Sequence, residues 1–176
     1  WYGNIFDKTG YKGIDAAAFM KEDFKDDYLA TKWLNENISG TPVVLEANGY
    51  SYTEYQRVSV ITGLPTVFGW YTHEQLWKSN PDRSNDEVVS QLNGRADDVE
   101  AIYTSEDENY VRELIRKYNI SYIYVGPLEE RKYGRVNHEL IRSLGEVVFE
   151  NPDFAEYNYK TYIVKIYNRY QNLIIY

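Results

Sequence analysis

The chain of 176 residues contains no cysteine. That excludes disulfides and thiolate metal sites, and it leaves the redox compartment open. No apolar run approaches the ~20 residues that a membrane-spanning helix requires, and no signal peptide is visible. Basic residues are outnumbered, with 19 Lys and Arg against 27 Asp and Glu and a net charge of −8. Nucleic acid, which needs a basic face, is therefore not an expected partner. Neither a Walker loop nor a dinucleotide fingerprint occurs, so no nucleotide cofactor is expected.

What is present suits one folded domain. The hydrophobic share of 43% and charged share of 26% are ordinary for a globular chain, and the length supports a real core. The 19 tyrosines are not ordinary. A tyrosine ring has a flat apolar face and a hydroxyl, which suits contact with a partner or with sugar rings, but replacement of Phe in cores and strands accounts for most of them. The first residues, Trp1-Tyr2-Gly3, include no methionine, and the chain reads as a piece of a longer protein.

Residues 1–25 read as an irregular lead-in with a short helical turn near Ala16 to Met20, and residues 26–176 as a single α/β domain. Asp26 or Asp27 caps a helix with Leu29, Trp33, Leu34 and Ile38 on its apolar side, stopped by Gly40. Val43 to Leu45 reads as a buried strand, and Asn48-Gly49 as a turn. Ser51 with Glu54 and Thr53 with Gln56 both fit a capping box for a helix ending at Gly63. Leu64 to Phe68 reads as the start of a strand or an edge, and Trp70 to Lys78 as a loop and helical turn. After a loop over Ser79 to Asn85, Val88, Val89 and Leu92 predict a helix interrupted at Asn93-Gly94, and Val99, Ile102 and Tyr103 another. Ser105 with Glu108 gives a third capping box, leading into Val111, Leu114, Ile115 and Tyr118, the clearest amphipathic helix. Tyr122 to Val125 is a strand. Glu129 to Leu144 is helical with a break near Gly134. Val147 to Phe149 and Thr161 to Tyr167 are strands joined through a turn at Asn151-Pro152-Asp153, and Leu173 to Tyr176 packs or adds an edge strand. The expected fold is an α/β three-layer sandwich with a mostly parallel central sheet and an antiparallel C-terminal hairpin at its edge. Ligands in such sheets sit beyond the carboxyl ends of the strands, here Glu46 to Tyr52 and Gly126 to Glu129.

Gly49-Tyr50-Ser51-Tyr52-Thr53 lies where a hydrolase elbow would lie, but Thr53 replaces its second glycine and Ser51 is better explained as a helix cap. His73-Glu74 begins like a zincin helix, yet Trp77 stands where the second histidine belongs. Asp97-Asp98 and Glu106-Asp107-Glu108 could hold a divalent ion, but acids at helix starts explain them better. Arg57, Arg83 and Arg95 could each grip an anion or pair with one of the many acids. The densest signal is aromatic. Tyr50, Tyr52, Trp70, Tyr71 and Trp77 accompany Glu46, Arg57, His73 and Glu74, a combination that holds sugars or polar head groups. A core of large rings, or a surface docked on another domain, fits the same residues.

The stretches VVLEANGYSYT, RVSVITGLPTVFGW and HEQLW within Val43 to Trp77, WLNENISGTP (Trp33 to Pro42), Asp98-Val99 with Ile102-Tyr103, and YIYVGPLEERKY (Tyr122 to Tyr133) resemble the YYY family of bacterial and archaeal multi-pass membrane proteins. The resemblance runs from about Asp15 to about Phe149, and departs from the family pattern at Tyr71-Thr72 and Lys78. It implies a C-terminal domain on the extracytoplasmic face of the cell membrane, partnered by its own transmembrane domain. The parent would be similar to GT-C glycosyltransferases, which take sugars from polyprenyl-phosphate carriers. The catalytic acid of that class lies in the membrane part, so this domain would be inactive alone. In this reading Glu46, Tyr50, Tyr52, Arg57, Trp70, His73, Glu74 and Trp77 face the membrane bundle, the polyprenyl-phosphate sugar or a glycan acceptor. The aromatics stack, Glu46, His73 and Glu74 hydrogen-bond, and Arg57 pairs with phosphate or acid. The alternatives are a non-catalytic glycan- or protein-binding module, and a soluble hydrolase using Ser51 with His73 or His138.

Overall fold

The computed structural model describes residues 19–151 and 160–167. In chain order these form α1 (Met20–Asp23), α2 (Lys25–Asn37), β1 (Val43–Leu45), α3 (Arg57–Thr62), α4 (Tyr71–Lys78), α5 (Asn85–Thr104), α6 (Glu108–Lys117), β2 (Ile120–Val125), α7 (Pro127–Tyr133), α8 (His138–Ser143), β3 (Gly145–Glu150) and β4 (Tyr162–Ile166). The expected irregular start as far as residue 18, the turn at Pro152-Asp153 and the tail strand at Leu173 to Tyr176 lie outside the described residues, while residues 20–23 of that start form α1 and Lys25 already opens α2.

The fold is mixed α/β around one four-stranded sheet of order β1-β2-β4-β3. Its parallel character is confined to β1 and β2. The β2–β4 pair is antiparallel, in place of the mostly parallel sheet expected, and β3–β4 is antiparallel as the expected hairpin requires. The hairpin strands β3 and β4 do take one side of the sheet, with β3 outermost.

Alternation along the strands divides the core. Val44, Tyr122, Tyr124 and Ile163 pack with Ala30 and Leu34 of α2 and Val58 of α3. Leu45, Ile123, Val125, Tyr162 and Val164 pack with Leu92 and Ile102 of α5, Val111 and Ile115 of α6 and Ile141 of α8. Every β2 position from Tyr122 to Val125 is buried, which is why the sequence there reads as an unbroken apolar run.

The helix starts differ from expectation in informative ways. Asp26 and Asp27 lie within the first turn of α2 and are buried, so neither caps it. Ser84 and Glu87 form the one reciprocal capping box of α5, and α5 then runs unbroken through Asn93-Gly94. Asp107, not Ser105, caps α6 by accepting from Asn109 N and Tyr110 N. Neither box proposed for α3 forms, because Gln56 adopts left-handed φ of 71° and the helix begins at Arg57. Leu64 to Phe68 makes no strand. Val44 N–H donates to Pro65 O at 2.9 Å, but a ladder cannot extend through a residue without an N–H.

Candidate functional site

The parallel strands β1 and β2 end side by side, and the chain beyond them carries buried charge. Glu46 directly follows β1. Its Oε2 accepts from Val58 N at 2.9 Å and its Oε1 from Ser59 N at 2.8 Å. Those are N–H groups of the first turn of α3, which lacks a capping side chain of its own. Burial raises the Glu46 pKa, and the hydrogen bonds from Ser59 and Val58 oppose that rise.

Glu129 plays the same part beyond β2. Its Oε2 accepts from Gly126 N at 3.0 Å, and its Oε1 reaches across to Ala47 N at 2.9 Å. One carboxylate thus joins the ends of both parallel strands. The residue is 2% exposed. Burial pushes its pKa up to about 7, against the opposing effects of the Arg57 charge and the Ala47 hydrogen bond.

Arg57 is buried between these acids. Its Nη2 is 2.5 Å from Asp27 Oδ1, and Asp27 also accepts from the Tyr124 hydroxyl. Burial works to lower the Arg57 pKa, but Tyr124, Asp27 and Glu129 outweigh it, and the guanidinium stays charged. Its buried Nε–H has no acceptor among the described residues. Close by, the buried Tyr103 hydroxyl donates to Tyr124 O at 2.7 Å, and its ring stacks on Tyr133 at 4.9 Å between centroids. Lys132 donates to the Asn48 carbonyl and to Asn48 Oδ1, with its ammonium 5.1 Å from the centre of the Tyr55 ring.

An aromatic wall stands over this charged floor. Trp70 Nε1 donates to Tyr55 O at 2.9 Å, which fixes the indole across the turn. Tyr52 lies 5.5 Å from Trp70, and the His73 ring stands edge-on 5.2 Å from each. His73 Nε2 and the Tyr52 hydroxyl are 3.2 Å apart. Tyr52 holds its position with left-handed φ of 62°. Gly49 makes room for Tyr55, since a Cβ there would lie 2.1 Å from the Tyr55 ring. Phe24, Tyr52, Tyr55, Trp70 and Arg57 line an open pocket of about 640 Å³, within the size range of small-molecule sites.

Of the eight residues singled out from the sequence, Tyr52, Arg57 and Trp70 meet at this pocket, and His73 braces two of them. The other four do not join them. Glu46 is buried with both oxygens bound to α3. Glu74 accepts from Gly69 N at 3.1 Å and pairs with Lys78 at 2.6 Å. Tyr50 is exposed, and Trp77 is 88% exposed; neither lines the pocket.

Sequence reasoning missed Phe24 and Tyr55, took Asp27 only as a candidate helix cap, and placed Glu129 on the ligand rim without giving it a role. For Asp27 a signal existed, because it shares a helical face with Ala30, Thr31 and Leu34, all buried. Glu129 stands three residues after a glycine at a strand end, the spacing that lets a carboxylate turn back onto that glycine's N–H. Phe24 and Tyr55 had no periodic signal.

The hydrolase arrangement finds no support. The Ser51 hydroxyl pairs with that of Thr72, His73 pairs with Tyr52, and His138 lies 2.8 Å from both Tyr162 OH and Glu130 Oε1. Among the described residues no group of three His, Cys, Asp or Glu is placed to hold a metal ion. Comparison with protein-family models, with curated proteins and with solved structures finds no match to this chain.

Proposed function

We propose that the chain is the extracytoplasmic domain of a multi-pass membrane protein that acts as a polyprenyl-phosphosugar-dependent glycosyltransferase, and that it binds a glycan or the carried sugar without catalysing transfer itself. The observation that carries this reading is the ring-lined pocket of Tyr52, Tyr55 and Trp70 over Arg57. Flat apolar walls with a few fixed polar groups are the means by which proteins hold sugar rings. The motif resemblance along Val43 to Trp77 and Tyr122 to Tyr133 supplies the membrane context. The own transmembrane domain would meet α4, where Leu76 and Trp77 stand exposed next to each other. The same reading takes the apolar clusters on the two faces of the sheet as the interior of a three-layer sandwich. Among the described residues no helix is long and apolar enough to cross a membrane, so the spanning segments would lie elsewhere in the parent.

The reading frame upstream of Trp1 tests the membrane part. Several apolar spans of about 20 residues are expected there, and their absence defeats it. Vesicles carrying the full-length product should then transfer sugar from a polyprenyl-phosphate carrier, and removal of the present domain should lower that transfer. Full activity without the domain would refute its role.

A further inference from the structure

The pocket has a definite charge balance, and this selects a class of ligand. Among the described residues its one cation is Arg57, already paired with Asp27 at 2.5 Å. The other charged residue in the lining is an acid, Glu54. Behind the floor lie the buried acids Glu46 and Glu129. A phosphate or carboxylate entering here would find no net positive charge, in a chain of net charge −8. What the pocket offers is different. Phe24, Tyr52, Tyr55 and Trp70 give ring faces. Asn35 gives an amide at the lining, and Arg57, 8% exposed, lies beside it with its Nε–H enclosed.

We infer that the pocket is a subsite for the neutral pyranose rings of a short glycan. The C–H face of a sugar would lie against Tyr52 and Trp70, and its hydroxyls would meet Arg57 and Asn35. The volume of about 640 Å³ leaves room beyond a single hexose. This deepens the functional reading by naming the ligand at the same pocket, and it does not depend on the membrane attachment or on transfer. A failed vesicle assay together with sugar binding here would leave a glycan-binding module.

The test is calorimetric titration of the 176-residue chain with methyl hexopyranosides, a neutral disaccharide, hexose 1-phosphate and choline. Choline is included because an aromatic cage also suits a quaternary ammonium. The neutral sugars are expected to bind at millimolar concentration, the disaccharide more tightly, with no gain from the phosphate. Tyr52→Ala, at a residue 83% exposed and so removable without emptying the core, should weaken sugar binding about three- to tenfold. Trp77→Ala should leave it unchanged. The inference is overturned by silence from every neutral sugar, by tighter binding of hexose 1-phosphate or choline than of the neutral glycosides, or by wild-type affinity in Tyr52→Ala.

Discussion

Glu129 makes the protein's stability depend on pH in a direction opposite to that of most carboxylates. In an unfolded chain its pKa is near 4.5, and in the fold burial lifts it to about 7. A group raised in the folded state contributes stability that is fully present below its unfolded pKa and lost as pH rises through its folded one. The interval from 4.5 to about 7 corresponds to about 3 kcal/mol at this fully buried site. About 2 kcal/mol of that falls between pH 5.5 and 8.5, a range that stays clear of the sequence pI near 4.8. The perturbation is Glu129→Gln. The amide oxygen can accept from Ala47 N or from Gly126 N but not both, so its NH₂ faces the other N–H. At the acid end of the range the variant should therefore be less stable by about 1–3 kcal/mol. Its own titration at the site is gone. Glu46, whose pKa burial also raises, is common to both proteins and drops out of their difference. Urea unfolding of both across pH 5.5 to 8.5 should show the wild-type advantage shrinking by about 2 kcal/mol toward high pH. In thermal melts the same change narrows the gap in Tm by about 4–8 °C. A difference that is flat with pH, or that grows as pH rises, refutes the reasoning. It would mean that the two backbone N–H groups stabilise the carboxylate by more than burial disfavours it.

Two further substitutions separate folding roles from binding roles. Gly94→Ala should stabilise the protein by about 0.5–1 kcal/mol, because α5 is continuous there and a Cβ would meet nothing within 4 Å; a lower Tm would indicate the helix break that the sequence suggested. Glu46→Gln should lower stability by about 1–3 kcal/mol in urea unfolding, since Val58 N or Ser59 N loses its acceptor, and should leave sugar affinity unchanged. Unchanged stability with lost binding would return Glu46 to the site.

Much of the fold was legible because periodicity reports burial. Val111, Leu114 and Ile115 read as one face of a helix and are buried on it, and the unbroken apolar run Tyr122 to Val125 is a strand covered on both sides. The direction of the β2–β4 pairing was not legible. Alternating helices and strands suggest parallel crossovers, but β4 enters between β2 and β3 and pairs antiparallel to both. No residue pattern in Tyr162 to Ile166 specifies which neighbour it will choose, because all of its first three positions are buried whichever strand lies alongside.

The site was half legible for a related reason. Aromatic residues announce themselves by type, so Tyr52 and Trp70 could be found, whereas a carboxylate says nothing about which way it points. Glu46 sits at the carboxyl end of a strand, where ligand-binding residues of α/β sheets belong. Yet the sequence after it forces a different use. The chain needs left-handed backbone at Tyr52 and at Gln56 to fold the aromatic turn over Arg57, and this takes Ser51 and Thr53 out of reach of the first turn of α3. The orphan N–H groups must find an acceptor from outside the local segment, and Glu46 is the group that supplies it. The aromatic wall and the buried acid are thus linked: the turn that presents Tyr52 leaves α3 uncapped, and Glu46 restores the cap at the expense of its own solvation. For that reason a variant that relieves the strain at Tyr52, such as Tyr52→Gly, should be tolerated by the fold, whereas loss of the Glu46 carboxylate should not.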